Sequence, residues 1–239
     1  EPNGFNINLN CGSTNTLMAS ELVKKYNADL AICLDGDADR VIILDELGNE
    51  IDGDQLIALI ANNLKSENKI NGDTIVSTVM SNLGLLRYLK DLGLNLFRTP
   101  VGDRYVSEIM KEKGFNFGGE KSGHIIMTDY SSTGDGLLAA LYFLSILKDS
   151  GKTTSQLLNV FKPTPQKLLN LNFESKDNPL DNPEFNKTIN ELRKKISDSG
   201  EILVRKSGTE PVIRIMVQHN DTKIFEEILE EINYMTSKL

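Results

Sequence analysis

Short apolar runs alternate with amphipathic segments along the first two thirds of the chain. Runs rich in branched apolar residues predict strands at residues 30–34, 41–44, 74–79 and 94–98. Capping residues and apolar spacing predict helices at residues 16–26, 52–64, 81–92, 102–113 and 136–148. The last of these helices is apolar on nearly every side, which predicts that it is well buried. Strands that alternate with helices indicate βαβ units around a parallel or mixed sheet.

The pattern changes after residues 161–165, a segment with two prolines that is typical of a linker. Strands are predicted beyond it at residues 167–173, 201–205 and 212–218, and helices at residues 183–197 and 221–238. We therefore predict an α/β protein in three parts. These are a partial α/β domain (residues 1–50), a complete mixed-sheet α/β domain (residues 51–163) and a small α+β C-terminal domain (residues 164–239).

Composition and charge argue against two classes of binding partner, nucleic acids and membranes. The 239 residues include 26 Lys and Arg against 34 Asp and Glu, which gives a net charge of −8 and argues against nucleic-acid binding. No apolar run reaches membrane-spanning length and no signal peptide is visible, so we expect no membrane partner. The two cysteines are Cys11 and Cys33, and Cys33 lies in an apolar run that predicts a buried thiol. A reducing cytoplasm fits this usage.

Three carboxylates lie between the first two predicted strands, at Asp35, Asp37 and Asp39. Each raises the pKa of its neighbours by charge repulsion, and a divalent cation relieves this repulsion. On a straight strand, residues two apart lie roughly 6.5 Å from each other, whereas oxygens bound to Mg²⁺ lie at about 2.1 Å from the ion. Gly36 and Ala38 have little or no side chain, so the chain can curl here. We predict a metal loop for Mg²⁺, with a solvated acidic turn as the alternative.

A glycine-rich segment, residues 118–124, follows an apolar stretch. Glu120 and Ser122 suit the hydroxyl groups of a sugar, which both donate and accept hydrogen bonds. The P-loop pattern is absent. His124 is either a general acid/base or a hydrogen-bonded structural residue. His219, which is followed by a predicted turn at Asn220-Asp221, is expected at the surface.

A third polar segment, residues 205–211, lies between two predicted strands and suits a phosphate group. Arg205 can form a bidentate, charge-assisted pair, and Ser207 and Thr209 provide hydroxyl donors. Gly208 allows backbone N–H groups to turn toward an anion. The alternative is a polar hairpin turn.

These three loops, together and in this order, resemble those of the α-D-phosphohexomutase superfamily. Residues 35–40 are similar to its metal loop, residues 119–124 to its sugar-binding loop and residues 205–211 to its phosphate-binding loop. The Val-Gly-Asp-Arg-Tyr-Val segment at residues 101–106 points to the phosphoglucosamine mutase branch. Pro100 departs from the pattern, because relatives can carry a lysine there that reaches the reacting groups.

The resemblance implies that glucosamine 6-phosphate and glucosamine 1-phosphate are interconverted through a phosphoserine and a 1,6-bisphosphate, in amino-sugar and cell-wall precursor synthesis. A phosphosugar is therefore the expected small-molecule partner. By the same resemblance, Asp35, Asp37 and Asp39 are the Mg²⁺ ligands and Arg40 adds positive charge beside them as a catalytic residue. The histidine chemistry makes His124 the second catalytic candidate, with a structural role as its alternative. The substrate-binding residues that it implies are Glu120, Ser122, Arg205, Ser207, Gly208 and Thr209.

The resemblance also implies four domains, of which this chain would hold the end of the second and all of the third and fourth. In the family the phosphoserine lies in a Thr-Ala-Ser-His-Asn-Pro type of segment in the first domain, and the 239 residues do not contain it. Because the chain begins at Glu1 with a turn-like sequence, we expect more sequence upstream. We expect the isolated chain to be inactive without those N-terminal domains. The sequence leaves open whether the protein forms a homodimer.

Four alternatives compete with this interpretation. A phosphatase that forms an aspartyl-phosphate would explain the acidic loop but neither of the other two. An EF-hand would place Asp35, Asp37, Asp39 and Glu46 as ligands, but Arg40 stands where that loop requires glycine. The chain could also be a catalytically inactive fragment that binds sugar phosphates. The fourth alternative is a phosphomannomutase or phosphoglucomutase of the same superfamily.

Overall fold

The computed structural model describes residues 3–173, 178–196, 199–207 and 211–237. The chain divides into two compact units, Glu1–Lys162 and Pro163–Leu239, and the border lies inside the predicted linker. Each unit has its own hydrophobic core. The predicted α/β class, with a mixed sheet and a small α+β end, is confirmed. The division into three domains at residues 50 and 163 stays a prediction.

The first unit opens with a helix and a small antiparallel sheet. Helix α1 (Leu17–Tyr26) precedes strands β1 (Leu30–Leu34), β2 (Val41–Asp45) and β3 (Glu50–Ile51), which pair in the order β1-β2-β3. Leu34 pairs with Val41, so the acidic segment is the tip of an antiparallel hairpin. Val23 is the buried residue of α1, whereas Leu17, Met18 and Leu22 are exposed.

The second sheet of this unit is mixed, as predicted. Its four strands are β4 (Thr74–Thr78), β5 (Asn95–Thr99), β6 (Phe117–Gly119) and β7 (Ile125–Met127), in the order β5-β4-β6-β7. Strand β4 runs parallel to β5 and β6, and β7 returns antiparallel to β6. The helices of the unit are α2 (Gly53–Ser66), α3 (Leu83–Asp91), α4 (Asp103–Lys113), α5 (Gly136–Ser150) and α6 (Thr154–Leu157). The Asp52 and Asn82 side chains cap α2 and α3, which explains where these helices begin.

Helix α2 is the most deeply buried helix of the core, with ten of its fourteen residues buried. Helix α5 is less buried than its apolar sequence predicts. Its Ala139, Ala140 and Phe143 face the core, while Leu137 and Leu141 are 53% and 55% exposed. Small residues on the inner stripe let α5 pack closely against α2 and β2, while Leu137 and Leu141 point outward. The prediction that α5 is well buried therefore holds for its inner face and is wrong for the face that carries Leu137 and Leu141.

The second unit is a three-stranded antiparallel sheet with two long helices. Strands β8 (Gln166–Asn172), β9 (Gly200–Lys206) and β10 (Val212–His219) pair in the order β8-β10-β9. Helices α7 (Pro183–Ile196) and α8 (Thr222–Thr236) pack against β9 and β10 respectively. The core between them contains Phe185, Ile189, Ile213, Ile215, Ile228 and Ile232. None of the described helices in either unit combines the length and apolar character that a bilayer crossing requires.

His219 is buried, and its predicted place at the surface is wrong. Strand β10 continues one residue beyond the predicted end, so His219 pairs with Gly200 inside the sheet. The Asp221 backbone N–H lies 3.0 Å from His219 Nδ1. His219 is thus the last residue of the strand, and the bend at Asn220 and Asp221 follows it.

Candidate functional site

The acidic hairpin tip brings its three carboxylates together. One oxygen from each of Asp35, Asp37 and Asp39 lies within 4.8 Å of the others. Ala38 has a φ of 60°, which curls the chain away from the extended form that would keep these side chains apart. Asp35 Oδ1 accepts a hydrogen bond of 3.1 Å from Arg40 N and closes the tip. A set of converging carboxylate oxygens fits a hard divalent cation such as Mg²⁺.

The surroundings of the Asp39 carboxyl group raise its pKa. Its burial raises its pKa, and the nearby Asp35 and Asp37 charges act in the same direction, while the His124 charge opposes them. Asp39 Oδ1 is buried and has no hydrogen-bond partner among the described residues. A cation at the tip would supply the missing positive charge.

Arg40 places a positive charge beside the acidic tip. Its Nε lies 3.7 Å from Asp39 Oδ1 and 3.9 Å from Asp35 Oδ2. Its side chain is 42% exposed, so one side of the guanidinium remains open to solvent. This arrangement allows Arg40 to contact both the carboxylates and an anion that approaches from outside.

The glycine-rich loop, residues 119–124, is joined to the hairpin through backbone contacts. Arg40 and His124 form an isolated antiparallel bridge, and Val41 N donates to Gly123 O at 3.0 Å. Gly123 has a φ of 90°, and a Cβ there would lie 2.0 Å from Val41 O. Only glycine therefore fits at this crossing. The structure thus brings the predicted metal and sugar-binding loops side by side.

Within this loop, Glu120 is held by the backbone of another segment. Its Oε1 accepts a hydrogen bond of 3.1 Å from Gly102 N, and the residue is only 7% exposed. Gly123 N donates to Glu120 O at 2.9 Å and tightens the turn. Ser122 is exposed at the same turn. The loop therefore presents a fixed carboxylate and an accessible hydroxyl group.

His124 is almost fully buried and faces the metal loop. Its Nδ1 lies 3.2 Å from Asp39 Oδ2. Its ring lies against Gly134, where a Cβ would come within 2.2 Å of Nε2. Nε2 has no hydrogen-bond partner among the residues that the structure describes. The geometry gives His124 a contact that orients Asp39, and its role as a general acid/base stays a prediction.

Sequence reasoning missed three contributors to this region. Gly102 anchors Glu120, Gly134 makes room for His124, and Gly136 N donates to Ala38 O at 2.9 Å, which ties the start of α5 to the metal loop. A signal was present for the last contact, because the Gly-Asp-Gly sequence at residues 134–136 precedes a helix. Gly102 lies in the segment 101–106 and Gly134 in the same Gly-Asp-Gly sequence, but neither motif shows that these glycines contact Glu120 and His124.

The third predicted loop belongs to the second unit. Arg205 lies on β9 opposite Arg214 of β10. Ser207 is buried, and its N–H donates to Val212 O at 2.8 Å. Gly208 and Thr209 lie outside the described residues. A phosphate-binding role for this loop stays a prediction.

Two family models match most of the chain. Residues 52–164 match the family model described as phosphoglucomutase/phosphomannomutase, alpha/beta/alpha domain III, and residues 168–234 match the C-terminal domain of the same family. The chain belongs to this α-D-phosphohexomutase family. The predicted resemblance is confirmed.

Its curated relatives include phosphoglucosamine mutases. The protein from Cereibacter sphaeroides (strain ATCC 17025) is 51% identical over 232 residues, which cover 97% of this chain and 52% of the relative. The protein from Phenylobacterium zucineum is 52% identical over 232 residues, or 97% of this chain and 51% of the relative. The chain thus spans about half the length of the curated relatives it matches.

Solved structures share the fold at low sequence identity. A phosphoglucomutase/phosphomannomutase family protein from Burkholderia thailandensis has a TM-score of 0.76 and 24% identity, covering 93% of this chain and 49% of that one. Aspergillus fumigatus N-acetylphosphoglucosamine mutase, solved with GlcNAc-6P and magnesium, has a TM-score of 0.71 and 19% identity, covering 95% and 56%.

Proposed function

We propose that this chain provides the metal-binding, sugar-binding and phosphate-binding half of a phosphoglucosamine mutase. The observation that carries the proposal is the contact between the acidic hairpin and the glycine-rich loop, made through the Arg40–His124 bridge. Identity of 51% to phosphoglucosamine mutases across nearly the whole chain supports the amino sugar as the substrate class. The reaction would interconvert glucosamine 6-phosphate and glucosamine 1-phosphate.

Different residues would bind different parts of the substrate. Asp35, Asp37 and Asp39 would hold Mg²⁺, which when bound supplies positive charge for a transferring phosphoryl group. Arg40 would add charge beside them, and Glu120 and Ser122 would bind sugar hydroxyls. The other phosphate would be bound by Arg205, Ser207, Gly208 and Thr209. Fixing that phosphate would restrict the orientation of the bound substrate, which is catalysis by positioning.

The nucleophile that the family resemblance implies is a phosphoserine, and its segment does not occur in these 239 residues. We therefore propose that the chain taken alone binds its substrate without turning it over. The two free cysteines, one of them buried, fit a cytoplasmic enzyme. A homodimer stays a prediction.

The experiment combines a binding assay and an activity assay. Isothermal titration of the chain with glucosamine 6-phosphate in the presence of Mg²⁺ should give saturable binding, and the Arg205→Ala variant should weaken it. Mutase activity should appear only after addition of a separate polypeptide that carries the phosphorylated serine half of a curated relative. No binding by the wild-type chain would contradict the proposal. Activity of the chain alone would contradict the assignment of the nucleophile.

Specificity is tested in the same titration. Glucose 6-phosphate and mannose 6-phosphate, used as competitors, should displace glucosamine 6-phosphate only at higher concentrations. Preferential binding of either competitor would instead favour a phosphoglucomutase or a phosphomannomutase of the same family.

A further inference from the structure

Asp54 is a fully buried carboxyl group that the proposed mechanism does not use. It lies in the first turn of α2, and its Oδ2 accepts a hydrogen bond of 2.8 Å from Asn82 N. Its other oxygen, Oδ1, is buried and has no hydrogen-bond partner among the described residues. Burying a partly satisfied carboxylate is costly, so its position calls for an explanation beyond packing.

The backbone next to Asp54 supports the glycine-rich loop directly. Gly53 N donates to Lys121 O at 3.0 Å. A Cβ at Gly53 would lie 2.3 Å from Glu120 O and 2.8 Å from Gly123 N, so the loop rests on this residue. Lys121 Nζ also lies 3.4 Å from Asp52 Oδ2. The start of α2 therefore fixes the middle of the loop.

The partner of Asp54 belongs to a turn that fixes the beginning of the same loop. Next to Asn82, the Ser81 hydroxyl lies 2.6 Å from that of Ser77. The Ser77 hydroxyl in turn donates to Gly119 O at 2.7 Å. Asp54 thus joins two supports of the loop, one beneath Lys121 and one beneath Gly119.

We propose that Asp54 is a positioning residue for sugar binding. It fixes the two segments that support the glycine-rich loop relative to each other, so that Glu120 and Ser122 can contact the substrate. The inference rests on the proposed function of that loop. Asp54 itself lies beneath the loop and is fully buried, so it would act through the residues that it positions.

The ionisation of Asp54 gives this role a measurable signature. Burial raises the pKa of Asp54 to about 7, and the Asp52 charge on the same helix adds to the rise. The Asn82 N–H, the Lys121 ammonium and the Ser81 hydroxyl lower this pKa. The charged form accepts the Asn82 hydrogen bond more strongly than the protonated form. Loop support should therefore strengthen as pH rises through neutrality.

The Asp54→Asn variant imitates the protonated form of Asp54 and is the main test. In titrations of the 239-residue chain with glucosamine 6-phosphate and Mg²⁺, we expect it to bind about three- to thirtyfold more weakly than wild type at about pH 8.5. The ratio of the two dissociation constants should approach one near about pH 5.5, where Asp54 is protonated in the wild type. Taking the ratio at each pH cancels the titration of the ligand itself.

Asp45→Asn is the matched control, because Asp45 is also a buried aspartate but caps the Asp45–Asn49 turn at the far end of β2. It should leave binding unchanged at both pH values. An Asp54→Asn variant that binds as tightly as wild type, or that loses the same factor at both pH values, would overturn the proposal.

A ligand-free measurement on the wild type keeps the test decisive if Asp54→Asn does not fold. In NMR spectra recorded across the same pH range, the amide signals of Gly53, Lys121 and Gly123 should shift with the midpoint of the Asp54 carboxyl carbon. Amide signals that ignore the Asp54 titration would refute the inference. If the amides follow Asp54 but the wild type binds no sugar phosphate, the proposed function fails and the structural link between Asp54 and the loop stands.

Discussion

Arg40 and His124 lie 84 residues apart in the chain, and their backbones form a bridge that joins the acidic hairpin to the glycine-rich loop. The bridge places the Arg40 guanidinium on the carboxylate side of the hairpin and the His124 ring against Asp39. The backbones of these two chemically different loops are therefore paired with each other. A shift in either loop would be transmitted to the other.

The acidic tip should bind a divalent cation without any sugar present. We expect Asp37→Asn to weaken Mn²⁺ or Mg²⁺ binding by at least about tenfold, because it removes one of three converging carboxylate charges. Isothermal titration with each metal measures this effect. Asp45→Asn, which alters a carboxylate remote from the tip, should leave the affinity as it is. Equal loss in both variants would mean that general charge, not coordination, governs binding.

Gly134 should be intolerant of any side chain. The Gly134→Ala methyl group would lie 2.2 Å from His124 Nε2, and we expect a loss of roughly 1–3 kcal/mol in the free energy of unfolding because the buried ring must move. Urea denaturation followed by circular dichroism measures it. In a His124→Ala background the same substitution should cost much less, since the clash is gone. Equal costs in both backgrounds would place the strain elsewhere.

Glu46 should make stability depend on pH in the acid range. Its carboxylate accepts hydrogen bonds from the Ser155 hydroxyl and backbone N–H, and these lower its pKa from 4.5 to about 2. A lowered pKa in the folded state means that the ionised form is stabilised, so its contribution is complete above pH 4.5 and disappears as pH falls toward 2.

The Glu46→Gln variant should therefore be less stable than wild type at neutral pH. The difference in stability should vanish as the pH approaches about 2. Because Glu46 is partly exposed, the difference should stay below about 1 kcal/mol. Urea midpoints collected at several pH values provide the measurement. A gap between the two proteins that is constant with pH would show that charge at Glu46 does not matter.

The orientation of α5 can be tested with two substitutions. Phe143→Ala should cost about 3–5 kcal/mol in the free energy of unfolding, because Phe143 is fully buried in the core. Leu141→Gln should change it by less than about 0.5 kcal/mol, because Leu141 points outward. Thermal unfolding of the two variants side by side distinguishes them. A large loss with Leu141→Gln would reverse the assignment of the inner face.

The sequence pattern predicts local elements well, because strands and helices depend on neighbouring residues. The hairpin strands, the caps at Asp52 and Asn82 and the proline-containing border between the units all follow from short segments. The convergence of the three aspartates also follows, since they lie within five residues of one another.

Features that depend on long-range packing could not be predicted in this way. The burial of His219 depends on its pairing with Gly200, and the outward leucines of α5 depend on which helix and strand it meets. In the sequence, Asp54 is an ordinary residue at the start of a helix. Its contact with Asn82 in the structure shows that it is a buried carboxyl group. Apolar content alone could not say which face of α5 turns inward.

The hairpin that carries the three aspartates affects the order in which the contacts of the candidate site form during folding. The ends of the acidic bend are closed by neighbouring strands, so assembling it requires little loop-closure entropy. This bend can take shape early, before remote parts of the polypeptide have met. The sugar site that we propose requires, in contrast, the long-range contact between Val41 and Gly123.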